Sequence, residues 1–443
     1  VPYGDHYPWT QTHEDNGKCS MAAVLFNLLD EPEGAEFFSR MSLASHGSER
    51  DTGHTGNFWN MTWSLPGVAQ SGPHATGAWM REFGAWYFDL ARRWDGTFRH
   101  QGPPAARRDS TGQWDSTGAY LLAYALPLKK IWLTGKRPPV VPQLDAAAAQ
   151  QVILDGRGWS NKDRHSAYDA LNGETLFECL ESWSPIVRER AAMALARRKE
   201  APIEALVERL ESPSLETRLG ACQALAHLKG AAAPAVPALR KTLRADDLWL
   251  RVKAAEALAA IGPPAMVAVP ELLERLAVGP TKKDPRGMEQ RHLCFTLFNA
   301  RGGMLGKSLE GVDRDQLRKA IAAGLRNEDG RARGAFGGIY QMLTYEELKP
   351  LLPAIHEAIV TPSPSGIMFA DGIRLAGLEI LAKHRIREGM PLCIEIMDIQ
   401  RWGKGRRIPQ CLDILATYGG AAKPLLPQLR QLEKDLLVHR EAK

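Results

Sequence analysis

Val187-Arg188-Glu189-Arg190-Ala191-Ala192-Met193-Ala194-Leu195 decides the fold, because the chain writes it again twice. Thr217-Arg218-Leu219-Gly220-Ala221-Cys222-Gln223-Ala224-Leu225 and Leu250-Arg251-Val252-Lys253-Ala254-Ala255-Glu256-Ala257-Leu258 align with it position for position. The aligned arginines stand 30 and 33 residues apart. Each copy is followed by a turn and a second amphipathic stretch: Ile203–Leu210, Val236–Leu243 and Val269–Leu276. A period of this length marks a stacked helical array. Alanine at the aligned positions lets the two helices of a repeat approach closely, and leucine fills the space between repeats. No repeat can bury its apolar face alone, so stacking is obligatory.

Pro213, Pro234 and Pro270 fall at helix starts or turns, where a missing N–H costs little. Arg333 and Arg374 lead two more divergent copies, and Arg406–Leu437 supplies a last helix pair. The pattern resembles HEAT repeats, in particular the short bacterial kind related to phycobilin-lyase repeats. An all-α solenoid over residues 184–443 is the expectation.

Working outward, 443 residues exceed one compact core, so two domains are expected. The composition, 44% hydrophobic and 24% charged, is that of a globular protein. No apolar run reaches the length of a membrane span. No basic-then-apolar start reads as a signal peptide. The chain opens on Val1, as a processed product or an excised piece does, which leaves a removed export signal open. Six cysteines lie scattered through apolar helical patterns, where a free thiol behaves as a small buried hydrophobe. The net charge of +5 is uneven: residues 1–135 hold 11 Lys/Arg against 14 Asp/Glu. The basic remainder suits acidic partners but lacks the dense stripe of a nucleic-acid binder.

The first part follows a different logic. Eight of twelve Trp lie before residue 135, and six of twelve His before residue 101. Lys136-Arg137-Pro138-Pro139-Val140-Val141-Pro142 cannot stay helical and marks a boundary. The resulting division is a helical domain over 1–140, linker and adapter helices over 141–183, and the solenoid. Three helices enter beside a glycine: Ser20–Leu29 after Gly17, Phe58–Leu65 after Gly56 and Tyr120–Trp132 after Gly118. Between them lie Gly34–Ala44 and an aromatic helix Ala78–Trp94. In that helix Trp79, Phe83, Trp86, Tyr87, Leu90 and Trp94 recur at helical spacing and are expected to face the core. Paired helices entered through Gly- and His-bearing loops resemble an α/α toroid of the terpenoid cyclase and prenyltransferase type. About half of a six-pair toroid is present: either an upstream segment or a second chain completes it, or it is an open fragment braced by the solenoid.

The segments His13–Lys18, Gly53–Asn60, Trp86–Gly96 and Trp114–Gly118 are similar to an uncharacterised bacterial family, domain of unknown function 6288. The resemblance implies a toroid followed by HEAT repeats, and an exported, periplasmic or secreted protein. It names no reaction and no cofactor.

In a toroid the entry loops gather at a central cleft. That would bring His13, Glu14 and Asp15 together with Asp51, His54 and Asn57, and with Trp59, Trp114, Asp115 and Tyr120. Carboxylates and imidazoles beside aromatic faces suit a sugar: the rings stack on it and the paired acids supply proton transfer. The catalytic candidates are His13, Glu14, Asp15, His54 and Asp115; the ligand-binding candidates are Asn57, Trp59, Trp114 and Tyr120. Asp and Thr also cap helices, and His bonds loop backbone, so a purely structural use stays open. A His/Asp group can hold a divalent metal, but no ligand spacing assigns one. The phosphate-loop and GxSxG signatures are missing. Arg197-Arg198-Lys199, Lys282-Lys283 and the run from Arg401 to Arg407 are the basic clusters of the solenoid. Such clusters offset helix dipoles or stay solvated. The reading is an interaction scaffold for a protein or polysaccharide partner. A carbohydrate-active enzyme and a nucleic-acid-binding repeat protein are the alternatives.

Overall fold

The computed structural model describes residues 13, 17–46, 57–99, 115–130, 138–157, 167–198, 200 and 202–439. The chain forms two compact units, Val1–Glu200 and Ala201–Lys443. Both are helical, and the β pairings among the described residues are isolated bridges.

In the first unit, α1 (Lys18–Leu28) starts at Gly17, whose φ of 71° only glycine adopts cheaply. α2 (Pro32–Ala44) begins on a proline, and α3 (Asn57–Val68) packs on both. Their contact is made of small polar residues. Ser20 Oγ and Ser42 Oγ are 2.7 Å apart, Ser39 Oγ and Ser71 Oγ 2.6 Å, and Ser39 Oγ donates to the Gly67 carbonyl at 2.8 Å. A Cβ on Gly67 would lie 2.7 Å from Ser20 Cα, so the helices touch through backbone there. Hydroxyls at this contact bond to one another and to carbonyls, which removes the cost of burying them.

α4 (Pro73–Gly84) carries Trp79 and Phe83 into the core and runs into a π-helical turn over Ala85–Asp89. The expected helix to Trp94 therefore stops short. Tyr87, within that turn, is buried, whereas Leu90 and Trp94 lie beyond the end of the helix and are 59% and 98% exposed. The Trp86 side chain lies outside the described residues. After a tight turn at Gly96 the chain reaches Phe98, and Arg99 pairs with Asp115, where α5 (Thr117–Ala125) begins. α6 (Ala146–Gly156) is capped by Asp145, whose carboxylate accepts from Ala148 N at 2.8 Å. It closes the core against α2 and α4 with Ala149, Val152 and Ile153. α7 (Gly173–Leu180) and α8 (Pro185–Ala196) end the unit.

The second unit repeats one theme. α9 (Ile203–Arg209) precedes α10 (Leu215–Leu228) and α11 (Val236–Thr242), then α12 (Leu248–Ile261) and α13 (Val269–Val278). α14 (Met288–Phe298) and α15 (Arg314–Gly324) follow. The array continues through α16 (Gly330–Gly334), α17 (Gly337–Tyr340), α18 (Tyr345–Leu348) and α19 (Leu352–Val360). It ends with α20 (Ala370–Lys383), α21 (Gly389–Ile396), α22 (Lys404–Thr417) and α23 (Leu426–Leu437). First helices α10, α12, α14, α16, α20 and α22 pack in series, each on the next. Ala221, Ala224, Ala254, Ala255 and Ala257 are wholly buried where helices approach closely, and Leu225, Leu239, Leu258 and Leu272 fill the space around them. The array is an α-solenoid.

Candidate functional site

The loop cluster nominated from the sequence is only partly described. Glu14, Asp15, Asp51, His54 and Trp114 lie outside the described residues, as do the side chains of Asn57 and Trp59. His13 is buried, with Nε2 2.9 Å from Ser184 Oγ, the hydroxyl that caps α8. Asp115 is exposed and folded onto the start of α5. The Thr117 side chain and backbone N–H (2.9 Å) hold its carboxyl below the usual range. Tyr120 sits in the core, stacked on Phe98 with ring centroids 5.0 Å apart and edge-on to Phe88 at 5.2 Å. Among the described residues, no group of three or more His, Cys, Asp or Glu could hold a metal ion, and no helix is long and apolar enough to cross a membrane.

In the solenoid, arginines position the turns that present a surface. Each stands four residues after a helix cap and reaches back over its own entry turn. Arg188 Nη1 donates to Ser182 O at 2.5 Å and Trp183 O at 3.2 Å. Arg251 Nη1 does the same to Ala245 O and Asp246 O, both at 2.8 Å. Arg333 Nε donates to Asn327 O at 2.5 Å, and Arg407 reaches Trp402 O at 3.0 Å and Arg401 O at 3.3 Å. Carbonyls that a tight turn leaves unpaired are thus taken by a charged donor. Arg218 departs from the pattern: it is half-buried, and its Nε makes no hydrogen bond.

Several later helix-entry turns are longer, and two of them are held differently: Arg291 pairs with Asp329, and Arg374 Nε donates to Ile359 O at 2.6 Å. Glu211–Ser214 and Arg244–Asp247 are short, whereas 279–287, 361–369 and 397–403 are long and enter their helices through Gly287, Gly366 and Gly403, all at positive φ. These later turns form one continuous edge. The Arg286 guanidinium pairs with Glu328 and lies 3.3 Å from Ser365 Oγ. Gly330 N donates to Ser365 O at 3.0 Å, and the Arg331 guanidinium sits 4.1 Å from the centre of the Phe369 ring. Arg407 Nη1 bonds Asp371 Oδ2 at 2.6 Å as well as Trp402 O, so one nitrogen joins the last turn to the start of α20.

Two properties set this edge apart. It exposes large apolar side chains, Ile367 at 55%, Met368 at 53% and Trp402 at 60%. It is also where the positive charge of the chain resides. Segments 279–287, 326–331, 361–369 and 397–407 hold nine Lys/Arg against four Asp/Glu, an excess equal to the +5 of the whole chain. The entry turns 211–214 and 244–247 hold one Arg against three acids. Sequence reasoning found the basic clusters but passed over Ile367, Met368 and Trp402. Their signal is an apolar residue beside a glycine immediately before a helix start, where core packing has no use for it.

Comparison with known proteins agrees with this architecture. Residues 1–135 match the family described as domain of unknown function (DUF6288), and residues 173–235 and 203–284 match HEAT repeats. No curated protein matches the chain. Among solved structures, the crystal structure of an engineered protein aligns at 16% identity over 96% of this chain and 90% of that one, with a TM-score of 0.28. That score is too low to carry an argument. The chain joins a domain of unknown function 6288, over residues 1–135, to a solenoid of HEAT repeats.

Proposed function

We propose that the chain is a binding scaffold, and that its solenoid holds a segment of a protein partner along the helix-entry edge from Lys282 to Arg406. The observation that carries this reading is the exposure of Trp402, Ile367 and Met368 on two hydrogen-bonded turns, the first held by Arg407 and the other by Arg333 and the Gly330–Ser365 backbone bond. Large apolar side chains on a fixed backbone lose little entropy on binding, and Trp is the residue type most enriched at interface hot spots. A stacked array supplies such a surface because its shape follows from repeat packing and not from one buried site.

Photo-crosslinking tests it. A benzoyl-phenylalanine at position 402 should trap a discrete protein adduct in cells producing the chain. The same group at Val267, which is 55% exposed within a repeat, should not. Equal trapping at both positions, or none at 402, would count against the reading.

A further inference from the structure

We propose that this edge recognises an acidic, extended peptide segment carrying a large apolar side chain. The inference rests on the scaffold reading above and adds the chemistry of the partner.

The placement of the cations carries it. Cations favour helix C-termini, where they offset the dipole, and Arg197 at the end of α8 follows that rule. Arg406 does the opposite: it stands in the first turn of α22, which contains no acid. Lys282 and Lys283 precede α14. Positive side chains beside positive helix ends repel one another in the unbound chain, and a carboxylate laid across them relieves that repulsion. The acids of the edge are largely engaged. Asp284 accepts from Met288 N and Glu289 N at 2.8 and 2.9 Å, Asp329 pairs with Arg291, and Glu328 pairs with Arg286. Glu328 cancels Arg286 in doing so, and Lys282, Lys283, Arg401 and Arg406 are left to set the field facing solvent.

The apolar side chains decide between kinds of anion. A nucleic-acid backbone would use the cations and leave the aliphatic Ile367 and Met368 without a partner. An acidic peptide with a Leu or Phe uses both sets, its carboxylates on the cations and its apolar side chain over Trp402 and Met368.

The test measures fluorescence anisotropy with the full chain and four labelled probes. These are a short Glu/Asp peptide containing Leu and Phe, the same peptide with Ser in place of Leu and Phe, a Lys counterpart keeping Leu and Phe, and single-stranded DNA of similar length. The first peptide should bind about tenfold or more tightly than the other three, and added salt should weaken it. Trp402→Ala and the Arg401→Glu/Arg406→Glu double variant should each cost about tenfold. Thermal melts confirm that these variants stay folded. Failure of the acidic apolar peptide to bind overturns the inference, and so does tighter DNA binding indifferent to Trp402. Equal binding of the acidic and lysine peptides, both lost in Trp402→Ala, overturns the charge preference alone. The crosslink at 402 judges the scaffold reading separately.

Discussion

Gly156 and Ala44 meet backbone to backbone: a Cβ built on Gly156 would stand 1.7 Å from the Ala44 carbonyl oxygen. The end of α6 is thereby pressed against the end of α2, and His46 Nε2 bonds Ile153 O at 3.0 Å beside it. Gly156→Ala must push the two helices apart and should lower stability by about 1–3 kcal/mol or more. Urea denaturation of the variant checks this; an unchanged midpoint would show that the contact yields freely.

The same contact bears on where the first unit ends. Leu144, Ala149, Val152 and Ile153 belong to its aromatic core, so a fragment 1–140 lacks one wall. That fragment should bind a hydrophobic dye and melt without cooperativity, whereas 1–200 should show one sharp transition. A cooperative melt of 1–140 would place the α6 contribution at the surface.

Arg251 ties its own turn and also reaches Glu289 of the next repeat, Nη2 to Oε2 at 2.6 Å, while Arg275 bonds the same carboxylate. The Glu289 hydrogen bonds raise the pKa of the Arg251 guanidinium despite its partial burial. Arg251→Met should cost about 1.5–3 kcal/mol. A cycle with Glu289→Gln should return a coupling of about 0.5–3 kcal/mol. Additive losses would mean that the bond to the turn carries the whole effect.

His292 supplies a pH dependence. Burial, aided by Arg291 and Lys253, depresses its pKa from 6.5 to about 3. The 3.9 Å approach to Glu256 is thus a contact of a neutral ring and not an ion pair. The unfolded chain takes up the proton first, so the stability His292 contributes is complete above pH 6.5 and drains as pH falls toward 3. Denaturation midpoints between pH 7.5 and 5 should fall in the parent and fall less in His292→Phe. Parallel curves would assign the slope to other groups.

The cysteines should be silent in the folded chain. Desolvation pushes the Cys222, Cys393 and Cys411 thiols up to about 12, and Cys179 to about 11. Cys19 and Cys294 are also buried. At pH 8 iodoacetamide should modify the native protein slowly, and all six after unfolding. Rapid native labelling of one thiol would reveal local opening there.

The first repeats were legible because their period is strict and their small residues recur. The helices from Ile203, Val236 and Val269 begin where the pattern places them. The later repeats were harder to read: glycines at 334, 337 and 338 break what would be one helix into α16 and α17, which erases the spacing. In the first unit, the aromatic stripe predicted burial correctly at Trp79, Phe83 and Tyr87. It failed at Leu90 and Trp94, since the helix ends in a π-helical turn that leaves no mark in a residue pattern read at 3.6 per turn. Of the nominated cleft residues, Tyr120 shows why type alone misleads. An aromatic beside a helix entry can serve a ligand or a core equally well, and here Phe98 stacks on its ring while Phe88 meets it edge-on.

Arg188, Arg251 and Arg407 each close on carbonyls five and six positions before them, so these repeats carry a fastening of their own beside the bonds they make to neighbours. Duplicating such a unit copies the fastening with it, and lengthening a turn upstream of those carbonyls leaves it intact. The seven-residue turn at 397–403 can therefore stand where 210–214 and 243–247 have five, and an array of this kind can gain or lose repeats, or restyle one edge, without redesigning its interior.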